Sequence, residues 1–158
     1  MYFIIIYFYI FLFNIVYMLY IVRELVKTDF ENYLELINDF RKTTFDQNQF
    51  NNILEGLGST IRIFVIEKDL KLIATGTLII EQKFIYNCTK MGHIEDVCVK
   101  KEFRCQGFGK IIIRKLIDIA TEHKCYKITL TCSESNIPFY KTNNFDIRGV
   151  HMSQLLNK

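Results

Sequence analysis

The sequence predicts a single mixed α/β (α+β) domain, in which helices flank a mixed central β-sheet. The chain has 158 residues, of which 50% are hydrophobic and 15% are aromatic, so it can bury one core. Apolar residues with helical spacing alternate along the chain with short runs that have strand character. Neither a repeat nor an interdomain linker interrupts this pattern. The predicted order of elements is β-α-α-β-β-β-α-β-α-β.

The first half of the domain is predicted to contain a strand, two helices and a β-hairpin. Apolar side chains alternate over residues 19–25, which indicates a strand. Thr28 or Asp29 caps a first helix, and Asp46 caps a second helix that ends near Gly56. The apolar face of the first helix has residues spaced three and four apart, namely Phe30, Tyr33, Leu34, Ile37 and Phe40. The hairpin consists of a strand over 61–67, a turn over 68–71 and a return strand over 72–81.

The second half is predicted to contain a long amphipathic helix between two strands. This helix spans residues 110–123, and its core face consists of Ile112, Ile113, Leu116, Ile119 and Ala120. Pro138 lies in the first turn of a shorter helix, a position that proline favours. The other elements are a polar and aromatic connection over 83–91, strands over 92–99 and 127–132, the shorter helix over 135–143 and one or two final strands within 145–156.

Residues 1–22 form an uncharged segment in which Asn14 is the only strongly polar residue. About 20 apolar residues are enough to cross a bilayer, whereas the basic region and cleavage site of a signal peptide are missing. Because the first strand begins at residue 19, we divide the chain into a hydrophobic segment, 1–18, and a domain, 19–158. Three interpretations of the segment remain open: a membrane anchor, an extension that packs locally, and a start codon set too early.

The charge and the cysteines exclude several classes of function. Twenty basic and 17 acidic side chains leave a net charge of +3, which is too small to indicate nucleic-acid binding. None of the five cysteines forms a C-x-x-C pair, and the three histidines lie far from such a pair. Neither a metal site nor a disulfide framework is therefore predicted. Free cysteines are typical of a reducing compartment, so we expect a cytoplasmic domain.

A glycine-containing loop, Phe103 to Lys110, runs from a strand directly into the long helix. Glycines in such a loop let backbone N–H groups converge on an anion, which the helix N-terminus also attracts. A Walker A loop is excluded because Ile111, rather than serine or threonine, follows Lys110. A dinucleotide-binding fingerprint is excluded because only two of its three glycines, Gly107 and Gly109, are present.

The segment Arg104-Cys105-Gln106-Gly107-Phe108-Gly109 fits a different pattern, R/Q-x-x-G-x-G/A. An apolar strand ending in Val97-Cys98-Val99 precedes it, and a helix, a strand and the segment Asn136-x-x-Phe139-Tyr140 follow it. This arrangement resembles the GNAT superfamily of N-acetyltransferases, whose members bind the pyrophosphate of acetyl-CoA with such a loop. The resemblance implies the GNAT fold and acetyl-CoA as co-substrate, without a metal.

Three segments are further similar to the glucosamine 6-phosphate N-acetyltransferases of that superfamily. They are 92–97 (GHIEDV), 125–130 (CYKITL) and 136–141 (NIPFYK), and residues 21–25, 43–44 and 83–86 also fit. The resemblance implies that acetyl-CoA donates its acetyl group to the 2-amino group of D-glucosamine 6-phosphate in a ternary complex, as part of UDP-N-acetylglucosamine biosynthesis. It also implies a homodimer, because in that family the sugar site lies between two subunits.

The resemblance assigns catalytic roles to Glu95, Asp96 and Tyr140. Glu95 is the expected base, directly or through water, and Asp96 orients the substrate. Tyr140 faces the thioester sulfur, where its hydroxyl can protonate the departing thiolate. Neighbouring residues of a strand point to opposite faces, but the family has a bulge near Glu95 and Asp96 that can splay the strand. A pair of surface carboxylates and a core tyrosine are the alternative interpretations.

The resemblance also implies binding residues for both substrates. Backbone groups of residues 97–99 would contact the pantetheine arm, and N–H groups of the loop would hold the pyrophosphate. The acetyl-CoA contacts implied are Val97, Cys98, Val99, Arg104, Cys105, Gln106, Gly107, Phe108, Gly109, Lys110, Asn136 and Tyr140. The sugar-phosphate contacts implied are Thr43, Lys83, Phe84, Ile85, Tyr86, Glu95, Asp96, Tyr126 and Lys127.

Three positions depart from the pattern of those enzymes. Relatives have histidine where Tyr86 stands, an acidic residue where Thr131 stands, and a C-terminal arginine for which Arg148 or Lys158 would have to substitute. All three departures concern the acceptor. Two other interpretations therefore remain open: an acetyltransferase for another amine, such as a protein N-terminus, a lysine or a polyamine, and a non-catalytic acetyl-CoA-binding module.

Overall fold

The computed structural model describes residues 20–156. The hydrophobic segment 1–18 lies outside this range, so its three interpretations stay predictions. Among residues 20–156, no helix combines the length and the apolar character needed to cross a membrane.

A five-stranded sheet forms the centre of the fold. Its strands are β1 (Tyr20–Glu24), β2 (Ile61–Lys68), β3 (Lys71–Gln82), β4 (Lys90–Val99) and β5 (Cys125–Leu130), and they lie side by side in that order. The first four strands are antiparallel neighbours, whereas β5 runs parallel to β4. The predicted hairpin and the predicted mixed sheet are thus confirmed.

The helices are α1 (Phe30–Asn38), α2 (Gln47–Gly56), α3 (Phe108–Glu122) and α4 (Ile137–Lys141), with 3₁₀ turns at Lys27–Asp29, Lys101–Phe103 and Glu134–Asn136. Asp46 begins α2 as predicted, through a reciprocal pair of 2.9 Å hydrogen bonds with Gln49. Asp29 precedes α1, but its carboxylate accepts from the Val26 N–H (2.9 Å) rather than from an N–H of the helix.

Two apolar cores lie on opposite faces of the sheet. β2 contributes to both, since Phe64 packs into one core and Val65 into the other. α3 covers the first core with its whole predicted face, Ile112, Ile113, Leu116, Ile119 and Ala120, all of them buried. α1 contributes Leu36, which is fully buried, to the second core. Phe40, predicted for that face, is 54% exposed because α1 ends before it.

An ion cluster around Arg23 attaches β1 to the domain. The guanidinium donates to Glu67 of β2 (2.6 and 2.8 Å) and to both carboxylate oxygens of Asp29 (2.6 and 2.8 Å). Burial alone would raise the pKa of Asp29, but the hydrogen bonds from Arg23 and Val26 outweigh it and lower the pKa. The first predicted strand therefore belongs to the sheet.

A β-bulge interrupts β4 at Asp96. One residue of β3, Gly76, lies opposite two residues of β4, Asp96 and Val97. Asp96 has a left-handed backbone (φ 51°). The extra residue resets the alternation of side chains. Ile94 and Val97 are three residues apart, yet both pack into the core beneath α3. The bulge that the family resemblance implied is present.

The sheet opens beyond the bulge. β5 pairs with β4 only along Lys90–Ile94 and ends at Leu130. Within residues 20–156, no strand lies beside the β5-facing edge of residues 95–99. The second half of β4 therefore has backbone groups on this edge that are not used by the sheet.

Two predictions about the last third of the chain are wrong. β5 starts at Cys125, two residues before the predicted strand 127–132, and its residues are exposed or half-buried because it is an edge strand with one neighbour. No strand forms within 145–156, since no described strand pairs with these residues, and Val150 and Met152 stay exposed. α4 and the 3₁₀ turn before it form the predicted short helical segment, with Pro138 in the first turn.

Gly76→Ala is expected to destabilise the protein by about 1–3 kcal/mol, because an added Cβ would overpack the buried contact between β3 and α3. The Cβ would lie 2.6 Å from Ile112 Cγ2 and 3.0 Å from Leu116 Cδ1. Urea denaturation followed by circular dichroism measures the free energy of unfolding. Gly56→Ala is the control, because a Cβ at Gly56 meets no atom within 4 Å. Equal stabilities of the two variants would contradict the close packing of α3 on β3.

Candidate active site

The open edge of β4 offers backbone groups along residues 97–99, whose side chains are packed into the two cores. Cys98 is 3% exposed, and its thiol donates to the Leu36 carbonyl oxygen (3.8 Å). Burial raises the pKa of Cys98 to about 11, so the thiol stays protonated at neutral pH. Val97 and Val99 pack against the core beneath α3. A ligand beside residues 97–99 therefore meets backbone groups rather than reactive side chains, whereas the carboxylates of Glu95 and Asp96 are exposed at the bulge.

The predicted anion loop is fixed between β4 and α3. Arg104 is exposed, and its Nε donates to the Val99 carbonyl oxygen (3.0 Å), which ties the loop to the end of β4. Cys105 and Gly107 both have left-handed backbones (φ 60° and 90°), so the chain turns sharply into the helix. Gln106 is exposed between them.

The N-terminus of α3 faces the open side of this loop. The first hydrogen bond of the helix runs from the Ile111 N–H to the Gly107 carbonyl oxygen (3.1 Å). The N–H groups of Phe108, Gly109 and Lys110 consequently have no carbonyl partner within the helix, and the helix dipole is positive at this end. A Cβ at Gly107 would meet no atom within 4 Å. The loop thus combines open space with convergent N–H groups, which fits a pyrophosphate.

Gly109 has a packing role that the motif did not reveal. A Cβ at this position would lie 3.1 Å and 3.3 Å from two ring atoms of Phe139 in α4. Only glycine allows this close approach without displacing the ring. The contact holds α4, and with it Tyr140, beside the anion loop.

Glu95 and Tyr140 lie within electrostatic reach of each other across the open edge. Burial raises the pKa of Tyr140, and the nearby charges of Cys132 and Glu95 raise it further. The ring of Tyr140 is held between Phe139 and Phe145, with ring centroids 5.0 and 6.0 Å away. Tyr140 therefore stays protonated at neutral pH and can donate a proton, while Glu95 is exposed to solvent.

Tyr33 of α1 lies beneath the bulge, a neighbour that the sequence analysis did not identify. Burial raises the pKa of Tyr33, and the charge of Asp96 adds to this effect, whereas a hydrogen bond with Thr75 opposes it. Thr75 in turn donates to the Phe64 carbonyl oxygen (3.0 Å). The half-buried Tyr33 and the buried Thr75 thus lie on the α1 side of the bulge, while Asp96 itself is exposed.

Several predicted sugar-phosphate residues meet at the start of β4 and β5. The rings of Tyr86 and Tyr126 have centroids 4.9 Å apart, and Lys127 Nζ lies 5.4 Å from the Tyr126 centroid. Phe84 and Ile85 precede Tyr86 and are 93% and 64% exposed. Together they form an exposed aromatic and cationic surface.

A chain of polar side chains crosses three strands beside this surface. Lys83 forms an ion pair with Glu81, and the other carboxylate oxygen of Glu81 contacts His93 Nε2 (2.9 Å). His93 Nδ1 lies 3.2 Å from Thr129 Oγ1 on β5. Hydrogen bonds from Lys83 and His93 lower the pKa of Glu81. The ammonium of Lys83, predicted to contact the sugar phosphate, is held by Glu81 in this structure.

Four further positions from the sequence analysis, Thr43, Asn136, Thr131 and Arg148, have no contact with this surface among the hydrogen bonds and ring contacts of residues 20–156. Thr43 is exposed between α1 and α2, where its N–H donates to Asn38 Oδ1 (3.0 Å). Asn136 is exposed at the end of the 3₁₀ turn before α4. Thr131 has its Oγ1 3.4 Å from His151 Nδ1. Arg148 is exposed, and Lys158 lies outside the described residues.

The sequence profile of the Acetyltransferase (GNAT) family matches residues 19–145. The chain belongs to this family. GNAT acetyltransferases use acetyl-CoA, a ligand that combines an extended amide arm with a pyrophosphate. The open edge of β4 and the anion loop at α3 suit these two parts.

Relatives of this GNAT chain are similar along most of its length. Glucosamine 6-phosphate N-acetyltransferase 1 of Dictyostelium discoideum is 39% identical over 137 residues, which cover 83% of this chain and 87% of the relative. The enzyme of the same name from Candida albicans is 34% identical over 141 residues, with coverages of 84% and 93%. The crystal structure of glucosamine-6-phosphate N-acetyltransferase from Arabidopsis thaliana has a TM-score of 0.84 at 33% identity and covers 88% of this chain and 99% of its own. The predicted GNAT fold is confirmed.

Gly107→Val is expected to weaken acetyl-CoA binding by roughly tenfold or more, because a β-branched residue disfavours a left-handed backbone and would displace the N–H groups of the loop. Isothermal titration calorimetry with acetyl-CoA measures the affinity. Gly58→Val is the matched control, since Gly58 is also left-handed (φ 63°) with open space around it but lies between α2 and β2. Normal binding by Gly107→Val would refute the role of the loop.

Proposed function

We propose that this GNAT protein is a glucosamine 6-phosphate N-acetyltransferase. It transfers the acetyl group of acetyl-CoA to the 2-amino group of D-glucosamine 6-phosphate and yields N-acetylglucosamine 6-phosphate and CoA. The domain at residues 19–158 performs this step of UDP-N-acetylglucosamine biosynthesis in the cytoplasm, without a metal. The observation that carries the proposal is the 39% identity, over 83% of the chain, to a relative named for this activity.

Acetyl-CoA brings the acetyl group to the enzyme as a thioester. The backbone of residues 97–99 binds the pantetheine arm along the edge that β5 leaves unpaired. The N–H groups at the start of α3 bind the pyrophosphate, and the exposed side chains of Arg104 and Lys110 complement its charge. Asn136 contacts the arm from the start of α4.

The open edge supplies a base and an acid. Glu95 accepts a proton from the amino group of the sugar, directly or through water, and Asp96 orients the amine from the next position of the bulge. Tyr140 holds its proton because burial raises the pKa of its hydroxyl. It donates that proton to the departing thiolate. No residue forms a covalent intermediate, because the amine attacks the thioester directly.

The acceptor site is shared between the two subunits of a homodimer. Tyr86, Tyr126 and Lys127 lie at the start of β4 and β5, whereas Glu95 lies in the middle of β4, so one subunit keeps the two groups apart. The exposed Phe84 and Ile85 support this arrangement, because contiguous exposed apolar residues are typical of interaction sites. The residues proposed to contact the sugar phosphate are Thr43, Lys83, Phe84, Ile85, Tyr86, Tyr126 and Lys127, besides Glu95 and Asp96.

A comparison of acceptors tests the proposal. The full chain is incubated with acetyl-CoA and glucosamine 6-phosphate, glucosamine or a lysine peptide, and the release of free thiol is followed. We expect turnover with glucosamine 6-phosphate and little with the other two, because the cationic surface around Lys127 favours a phosphate. Turnover confined to the peptide would overturn the acceptor assignment, and thiol release with none of the acceptors would overturn the activity.

Glu95→Gln is expected to lower kcat for glucosamine 6-phosphate by about 10²-fold, because the amide cannot accept the proton of the amine. The affinity for acetyl-CoA should not change. Glu122→Gln is the control, since Glu122 is also an exposed acid but lies at the far end of α3. A kcat of Glu95→Gln equal to that of the control would exclude Glu95 as the base.

A further inference from the structure

The connection between β3 and β4, residues 83–89, is called the acceptor loop here because it carries Lys83 to Tyr86. Its second half has an unusual backbone: Tyr86, Asn87 and Cys88 are consecutive non-glycine residues with left-handed φ angles of 56°, 60° and 56°. This conformation is unfavourable for L-residues. It persists only where surrounding contacts hold it, and such strain is concentrated at functional sites.

The side chain of Gln82, the last residue of β3, contacts both ends of the acceptor loop. Its Nε2 lies 3.1 Å from the Lys83 carbonyl oxygen, 2.7 Å from that of Cys88 and 3.2 Å from that of Thr89. An amide nitrogen carries two hydrogens, so the three oxygens share them. Backbone hydrogen bonds from Lys83 N–H to Thr89 (2.9 Å) and from Cys88 N–H to Phe84 (3.3 Å) close the same turn.

Neighbouring residues of β3 hold different parts of this loop. Glu81 pairs with the side chain of Lys83, whereas Gln82 binds the backbone where the loop leaves β3 and where it enters β4. The Gln82 amide therefore bridges the two ends of the left-handed turn. In the absence of this bridge, the carbonyl groups of Cys88 and Thr89 lose their side-chain donor, and the turn is free to relax.

We infer that Gln82 is a positioning residue for the acceptor. It holds the acceptor loop in its left-handed conformation and thereby keeps the Tyr86 ring against Tyr126, without touching the substrate itself. The inference rests on the proposed function, because it takes the residues of the acceptor loop as contacts of the sugar phosphate. The acetyl-CoA half of the site lies at the other end of β4 and does not depend on Gln82.

Two variants of the full chain separate this role from a general loss of stability. Gln82→Ala removes the amide, and Gln82→Glu keeps its length but replaces the donor with a carboxylate that faces three carbonyl oxygens. Asn32→Ala is the matched control. Asn32 Nδ2 also donates to the backbone of a left-handed turn, at the Leu70 carbonyl oxygen (3.3 Å), but this turn lies at the opposite end of β3.

Steady-state kinetics and amide hydrogen exchange provide two independent readouts. We expect both Gln82 variants to raise the KM for glucosamine 6-phosphate by roughly fivefold or more and to leave the KM for acetyl-CoA unchanged, because only the acceptor loop relaxes. The amide protons of Lys83 and Cys88 should exchange about tenfold faster in these variants, because they close the same turn. Asn32→Ala should change neither readout.

Unchanged exchange in the Gln82 variants would overturn the inference, and so would faster exchange with an unchanged KM for the acceptor. Equal increases in both KM values would also overturn it, because they would indicate a general structural effect. A wild-type chain that does not acetylate glucosamine 6-phosphate would overturn the proposed function and the acceptor role of Gln82 with it. The exchange measurement would still decide whether Gln82 holds the loop.

Discussion

The β-bulge at Asp96 is the constraint on which the rest of the site depends. Without the bulge, β4 would stay in register with β3 along its whole length, and its alternate residues would point to opposite faces of the sheet. Because Gly76 alone lies opposite two residues, the alternation is reset, and Val97 packs into the core beneath α3. The absence of a side chain at Gly76 lets Ile112 of α3 approach the sheet at this point. One helix–strand contact thus sets the position of α3 relative to the open edge of β4.

Burial sets the protonation states around that edge. Burial raises the pKa of the Cys98 thiol and of the half-buried Tyr140 phenol, so both hold their protons at neutral pH. Glu95 is exposed in the bulge, and its charge raises the pKa of Tyr140 further. Gly109 completes the arrangement, since its contact with Phe139 holds α4 against the start of α3.

The surface around Lys83 and Tyr86 depends on backbone strain and ion pairs rather than on apolar packing. The Tyr86 ring lies against Tyr126 with its centroid 4.9 Å away, and Lys83 is paired with Glu81. Such an exposed and polar assembly is easier to alter than a packed core, because few buried contacts depend on it. Tyr86 lies in this assembly, whereas Thr131 lies apart from it, beside His151.

The sequence by itself determined the features whose cause lies within a few residues. The apolar face of α3, the capping box at Asp46, the β2–β3 hairpin and the anion loop all depend on local spacing or local hydrogen bonds. The tertiary structure decided which face of α1 is buried and where β5 begins. It also decided that no strand forms within the described residues 145–156 and that Gln82 bridges the acceptor loop. The burial of α1 and the position of β5 depend on contacts between distant residues, such as Cys98 with Leu36 and Ile94 with Leu130, which no local pattern in a single sequence specifies.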